Sequence, residues 1–322
     1  MALLLGTRRG LDATSSARGT FAVLALDHRQ NLRKELHPED PSATTDDEMI
    51  EFKRTVVRSL SSIATGTLLD PEIGAAQCIA DGSLAGHDGL IVALEATGYE
   101  GEPGARVSRL LPGWDVAKAK RLGASAAKLL VYYHPEARNA ADQERLVAAL
   151  AADCRAQDLP LFVEPLSFGL DGGALAGEDR RRVVIETARR LTTLGADVLK
   201  AEFPYDASVD DRSRWAEACN ELDAASSLPW VLLSGGVDDA TFEAQVEVAC
   251  AAGASGVLVG RSVWAPAAAL PREERTAWLE TEGASRLRRL VDLVEATGHP
   301  WRPRWLAAAH PEPPEPGWYA RY

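Results

Sequence analysis

Gly195-Ala-Asp-Val-Leu-Lys-Ala-Glu-Phe-Pro204 is a short apolar run closed by glycine and proline, and it reads as a buried β-strand with a lysine at position 200. Seven similar runs recur along the chain: Phe21–Leu26, Thr65–Asp70, Gly89–Leu94, Ala126–Tyr132, Pro160–Glu164, Pro229–Ser234 and Ser255–Gly260. Amphipathic helical stretches lie between them, among them Asp46–Ser61, Asp142–Ala156, Gly177–Leu194, Asp211–Ala225 and Asp239–Ala252. Asp239-Ala-Thr-Phe-Glu243 has the form of a capped helix start. Strict alternation of helices with eight apolar strands predicts an α/β fold, a single-domain (β/α)8 TIM barrel. An open doubly wound sheet is the competing architecture, but no strand runs into a GxGxxG turn. The barrel is expected over residues 1–298. The Pro- and Trp-rich tail, 299–322, is not expected to form a regular helix; it packs over the barrel or reaches a neighbouring subunit.

Composition narrows the classes of function. The 322 residues are 46% hydrophobic with a net charge of −12, which argues against a nucleic-acid or anionic-membrane surface. No run approaches the ~18–20 apolar residues of a membrane span, and the apolar start at Met1–Leu5 is too short for a signal peptide. A cytoplasmic location is the default expectation. Cys78, Cys154, Cys219 and Cys250 are scattered in helical stretches without CxxC spacing, so reduced, packed thiols are expected. The loop Thr97–Gly113 follows the third strand and is the longest irregular stretch; it is either a wall over the site or a solvated insertion.

In a barrel, chemistry sits at the C-terminal ends of the strands. Strand one ends in Asp27-His28-Arg29, strand four carries Lys128 and ends at Tyr132-Tyr133, strand five ends in Glu164, and strand six carries Lys200 and then Glu202. A lysine buried among apolar residues loses its charge readily, and a neutral amine is what Schiff-base chemistry on a carbonyl needs. Glu164 on the next strand then stands where a proton carrier is required. The competing explanation is a structural ion-pair network of Lys128, Glu164, Lys200 and Glu202, or a core-edge Lys200 paired with Glu202 or Asp197. Ser234-Gly235-Gly236 and Gly260-Arg261 end strands seven and eight, where exposed backbone N–H groups, a helix start and a guanidinium point to a phosphate cradle, the alternative being two ordinary tight βα turns. His28, His87 and His134 raise a metal-dependent alternative, though no HxH or HxxxH spacing supports it and no metal is expected.

LALDHR, LEATGY, AAKLLVYY, LFVEPL, DVLKAEFP, PWVLLSGGV and GASGVLVGRSVW run in order from about residue 20 to 265. Together they resemble the class I aldolases that include tagatose-bisphosphate aldolase and sulfofructosephosphate aldolase. The resemblance implies a lyase that needs no cofactor, acts on a small phosphorylated ketose and forms a homo-oligomer, with no nucleic-acid or membrane partner. It implies Lys200 as the Schiff-base lysine, Glu164 as acid/base, Lys128 as an active-site lysine and Asp27 as the carboxylate near the substrate hydroxyl. Tyr132 or Tyr133 is the candidate to reprotonate the enamine. Ser234, Gly235, Gly260 and Arg261 would hold the phosphate. His28 and Arg29 remain for the far end of the substrate, together with Arg106. Relatives commonly read Asp-Gln-Arg where this chain has Asp27-His28-Arg29, and cues to the tagatose and sulfosugar branches disagree. A barrel that binds sugar phosphates without turning them over, or a metal-dependent aldolase, is the alternative.

Overall fold

In the computed structural model, which describes residues 3–320 and 322, the eight apolar runs become eight parallel strands. They are β1 (Phe21–Leu26), β2 (Gly66–Leu69), β3 (Leu90–Ala93), β4 (Ala126–Tyr132), β5 (Leu161–Leu166), β6 (Val198–Ala201), β7 (Trp230–Leu233) and β8 (Gly256–Val259). Their closed order is β1-β8-β7-β6-β5-β4-β3-β2, so the expected barrel is present. The helices on its outside include Asp46–Leu60, Ala140–Ala156, Gly177–Leu191, Arg212–Ala225 and Asp239–Ala252, within a few residues of the sequence expectations. One cap shifts by a residue. Asp238, not Asp239, is the N-cap, because its carboxylate reaches the N–H of Thr241.

Period-two alternation decides what fills the barrel. Phe21, Val23, Leu68, Ile91, Phe162, Val198, Val231 and Leu258 point inward and pack as an apolar plug. The same alternation, continued along β4, β5 and β6 and just past the ends of β1 and β3, brings Lys128, Glu164, Lys200, Asp27 and Glu95 to the inner face above that plug. The opposite faces of the strands carry the larger core shared with the helices. Apolar layers below and ionised groups at the top are thus consequences of one alternation pattern.

The C-terminal tail corrects an expectation. Trp301–Ala309 is a regular helix despite its proline. Pro303 falls in the first turn, where the backbone N–H has no intrahelical partner to lose. Trp301 and Trp305 are completely buried against the lower plug, beside Leu4 and Leu11 from the N-terminal segment. Trp301 donates to Ser15 Oγ (3.0 Å) and Trp305 to Asp197 Oδ1 (2.8 Å), so each buried indole N–H is satisfied. At ~25 cal/mol per Å2 over roughly 200 Å2, each ring contributes about 5 kcal/mol of burial. The tail closes the N-terminal end of the barrel, opposite the ionised layer. Among the described residues no helix is long and apolar enough to cross a membrane.

Candidate active site

A cavity of about 760 Å3 opens at the C-terminal ends of the strands, and its floor is the ionised layer. Lys128 Nζ donates to Asp27 Oδ2 (2.7 Å) and Glu95 Oε1 (2.7 Å) and lies 2.8 Å from Glu164 Oε2. Lys200 Nζ lies 2.7 Å from Glu164 Oε1. Glu164 therefore bridges the two lysines, Lys128 gathers three carboxylates, and Lys200 has one that it shares. Lys128, Glu164 and Lys200 are buried, so these are contacts in a low-dielectric setting.

Burial alone would raise the carboxyls of Asp27 and Glu164. The ammoniums of Lys128 and Lys200 outweigh it, holding Asp27 well below the ordinary carboxylate range and Glu164 below it as well. For Lys128, burial opposes the charge, but Asp27, Glu164 and Glu95 prevail and hold the ammonium well above its usual range. Lys128 is thus a fixed cation.

The competing partners of Lys200 are engaged elsewhere. Asp197 accepts from the Leu161 N–H (2.9 Å) and from Trp305 at the opposite end of the barrel. Glu202 accepts from the Ser167 N–H (2.7 Å) and from Arg180 (3.1 Å). Of the four residues of the competing ion-pair network, Lys128, Glu164 and Lys200 do interact, but Glu202 stands apart and Asp27 and Glu95 join instead. Glu95 was not singled out in the sequence. It stands one residue past the apolar run Gly89–Leu94, the same strand-end position as the others, and its second oxygen accepts from the Leu130 N–H (3.0 Å).

Tyr132 lines the cavity, its ring 5.1 Å from that of Tyr99 in an edge-on contact. Burial pushes its phenol up. Tyr133 does not belong to the site: alternation turns it outward, where it is buried and donates to Glu144. The histidines separate. His28 lines the cavity; His134 is buried outside it with Nδ1 accepting from the Glu136 N–H (3.1 Å); His87 is exposed on a loop entering β3, at the other end of the barrel.

Ser234, Gly235, Gly260 and Arg261 come together on one wall of the cavity. Gly235 and Gly236 take positive φ values of 59° and 82°. A Cβ on Gly236 would stand 2.7 Å from Arg261 Nη2, so the guanidinium lies directly over this turn. A Cβ on Gly260 would meet the Ala25 carbonyl and His28 Cε1, both at 2.9 Å, so glycine also lets β1 and β8 close together here. The helix Arg261–Ala268 starts at this wall and adds its N–H groups.

His28 and Arg29 sit on the β1 side. The His28 ring packs edge-on against Trp264, with centroids 5.2 Å apart, and Trp264 is anchored to the Ala25 carbonyl (3.0 Å). Burial first, then the Arg261, Lys200 and Lys53 charges, pull the imidazole down to about 4 against the opposing pull of Asp27. His28 is neutral near pH 7, lower still than its ordinary range implies. Arg29 is committed to the Glu72 carboxylate and the Glu95 carbonyl (2.9 Å). Behind this wall Lys53 and Asp70 form a completely buried ion pair that the helical context of Lys53 did not reveal.

The loop Thr97–Gly113 is a wall rather than a solvated insertion. It contains the hairpin Glu100–Glu102 with Ala105–Val107, and Thr97, Gly98, Tyr99 and Arg106 line the cavity. The four cysteines are free and buried in helices; burial pushes the Cys78 and Cys219 thiols up to about 12.

Residues 21–266 match the family described as DeoC/LacD family aldolase. The chain is 30% identical over 310 residues to tagatose 1,6-diphosphate aldolase 1 of Streptococcus pyogenes serotype M3 (strain SSI-1), covering 89% of this chain and 94% of the relative. It is 29% identical over 325 residues to tagatose 1,6-diphosphate aldolase 2 of Enterococcus faecalis (strain ATCC 700802 / V583), covering 94% and 97%. A solved Schiff-base-forming fructose-1,6-bisphosphate aldolase superimposes with a TM-score of 0.61 at 25% identity, covering 90% of this chain and 99% of that one. The chain belongs to the DeoC/LacD family of aldolases.

Proposed function

We propose that the protein cleaves a ketose 1,6-bisphosphate, or a ketose 1-phosphate with another terminal anion, through an imine on Lys200. The products are dihydroxyacetone phosphate and a three-carbon aldehyde. One observation carries the choice of nucleophile: Lys128 is pinned by three carboxylates in direct contact, whereas among the described residues Lys200 has one in direct contact, Glu164, which also serves Lys128. An ammonium with three counter-charges cannot release its proton to attack a carbonyl; one with a shared acceptor at 2.7 Å can.

The ammonium of Lys200 gives a proton to Glu164, and the neutral amine adds to the ketone to form a carbinolamine. Glu164 returns that proton to the carbinolamine hydroxyl, which leaves as water and creates the iminium. Glu164, again a carboxylate, takes the proton of the β-hydroxyl as the C3–C4 electrons move to the iminium nitrogen. Asp27, which accepts from Lys128 Nζ at 2.7 Å, orients that hydroxyl. The aldehyde departs, and Tyr132, kept protonated by burial, donates to the enamine carbon; the proton that Glu164 took from the β-hydroxyl returns through solvent to the Tyr132 phenolate. Hydrolysis of the iminium releases the second product. Ser234, Gly235, Gly260 and Arg261 bind the phosphate next to the reacting carbon. The relatives' names, tagatose 1,6-diphosphate aldolase, support a bisphosphate as the first substrate to test.

A coupled assay for dihydroxyacetone phosphate tests this reading with tagatose 1,6-bisphosphate, fructose 1,6-bisphosphate and sulfofructose 1-phosphate, with and without EDTA. At least one substrate should turn over, with activity unchanged by the chelator. Tight binding of all three without product would replace the enzyme with a sugar-phosphate-binding barrel. Loss of activity in EDTA would replace the imine with metal chemistry.

A further inference from the structure

Four arginines line the cavity, Arg29, Arg106, Arg180 and Arg261, and their donors are committed to different degrees. Arg29 is held by Glu72 and the Glu95 carbonyl. Arg180 is held by Glu202 and the Phe203 carbonyl, each at 3.1 Å. Among the described residues Arg261 keeps only a loose ion-pair contact, to Glu35 at 3.9 Å. Arg106 forms no ion pair among the described residues. Its Nε donates to the Pro103 carbonyl (3.1 Å) and Nη2 to the Gly172 carbonyl (3.0 Å), which leaves Nη1 unused.

What fixes Arg106 instead is a set of rings. Its guanidinium carbon lies 4.7 Å from the ring centre of Tyr99, 4.9 Å from Phe168 and 5.7 Å from Tyr132. Ring faces attract the cation without using its N–H donors or neutralising its charge. The acids of the same hairpin do not compete for it, because Glu100 is paired with Arg109 and Glu102 with Arg138. A half-buried guanidinium, held in place yet lacking a counter-ion, is a preorganised receptor for a tetrahedral anion.

Arg106 packs over Tyr132 at the end of β4 and Phe168 just after β5; Arg261 follows β8. In the closed strand order β4 and β8 stand diametrically opposite. The two least committed arginines therefore face the cavity from opposite walls, with the Lys200, Glu164 and Lys128 floor between them. We propose that Arg106 is the second anion site of the cavity and binds the terminal phosphate or sulfonate of the ketose, at the end remote from the imine carbon. Arg29, adjacent to Asp27, is the poorer receptor because its donors are already taken, and neutral His28 adds no charge. This assignment rests on the reading of Lys200 as the imine-forming residue.

The test compares ketose 1,6-bisphosphate and sulfofructose 1-phosphate, which carry a second anion, with fructose 1-phosphate, which does not. Arg106→Gln should raise KM for the substrates that carry a second terminal anion about 10- to 100-fold and leave fructose 1-phosphate within about twofold. Arg106→Lys should restore part of the loss, more for whichever terminal anion is the natural one. Equal losses on all three substrates would make Arg106 a structural post of the wall and overturn the assignment, as would no loss on any. Calorimetry on Lys200→Met separates the two readings, since binding reports the anion site even without cleavage. There the bisphosphate should bind at least tenfold more tightly than fructose 1-phosphate, and Arg106→Gln should erase that gap. A gap that survives the substitution refutes the Arg106 site. A gap that disappears while wild-type protein forms no borohydride adduct refutes the imine and leaves the anion site standing.

Discussion

Replacing Lys128 by methionine is the most informative single perturbation of the ionised floor. The side chain stays unbranched, shortens by one heavy atom and loses its charge, leaving Asp27, Glu95 and Glu164 crowded around a thioether. Removing one partner of a buried ionic cluster typically costs 3–5 kcal/mol, because the groups left behind keep their desolvation penalty without the attraction. With Lys200 still beside Glu164, Asp27 and Glu95 carry most of that penalty, and we expect about 3–5 kcal/mol at pH 7. The pH dependence must also reverse. In the wild type, Asp27 and Glu164 are held below their ordinary ranges, so the folded state binds fewer protons than the unfolded state. That stability is present above the unfolded carboxylate range and is lost as pH falls through the lowered folded values. In Lys128→Met the orphaned carboxyls are pushed up instead, the folded state binds more protons, and the deficit shrinks as pH drops from 7 toward 5. Urea unfolding of both proteins at pH 7, 6 and 5 reads this directly. A variant as stable as wild type at pH 7, or a deficit that grows in acid, refutes the charge balance described here.

Arg261→Ala should raise KM for ketose phosphates roughly 10- to 150-fold, the ~1.5–3 kcal/mol of one charge-assisted contact, while an unphosphorylated analogue is cleaved as before. Equal losses on both would move the phosphate elsewhere. His28 is pulled down to about 4, so its folded-state value lies below the unfolded one and stability is lost as pH falls from about 6.5 to 4. Denaturant titrations should show that wild type loses up to about 3 kcal/mol more over this window than His28→Gln does, and a parallel loss in both would contradict the assignment. Trp305→Ala should cost about 3–5 kcal/mol by calorimetric or denaturant unfolding, since it removes a buried indole and takes the donor from Asp197 Oδ1; a loss under 1 kcal/mol would mean the tail does not seal the barrel.

Much of the fold was legible because the barrel signal is local. Each strand is a short apolar run, each helix an amphipathic one, and their alternation leaves little choice of architecture. The floor was legible for the same reason. Asp27, Lys128, Glu164 and Lys200 are charged residues on or just beyond apolar strands, where burial makes them costly. Glu95 obeyed the same rule and escaped notice because it lay at the edge of a loop motif, LEATGY. Other features depend on partners distant in sequence. The burial of Lys53 requires Asp70, and the helix around Trp301 and Trp305 requires the plug and Asp197. The uncommitted state of Arg106 is a property of what surrounds it in space, including the three rings and the carbonyl of Gly172. Tyr133 is the converse case: its sequence neighbourhood suggested the site, and alternation turned it outward.

The identity of the lysine that forms the covalent bond decides the chemistry of the site. Incubation with the active ketose phosphate and sodium borohydride reduces any imine to a stable secondary amine, and peptide mass spectrometry locates it. Modification of Lys200, abolished in Lys200→Met and retained in Lys128→Met protein that is still folded, is the predicted result. An adduct on Lys128, or none on either lysine while the substrate is being cleaved, contradicts it.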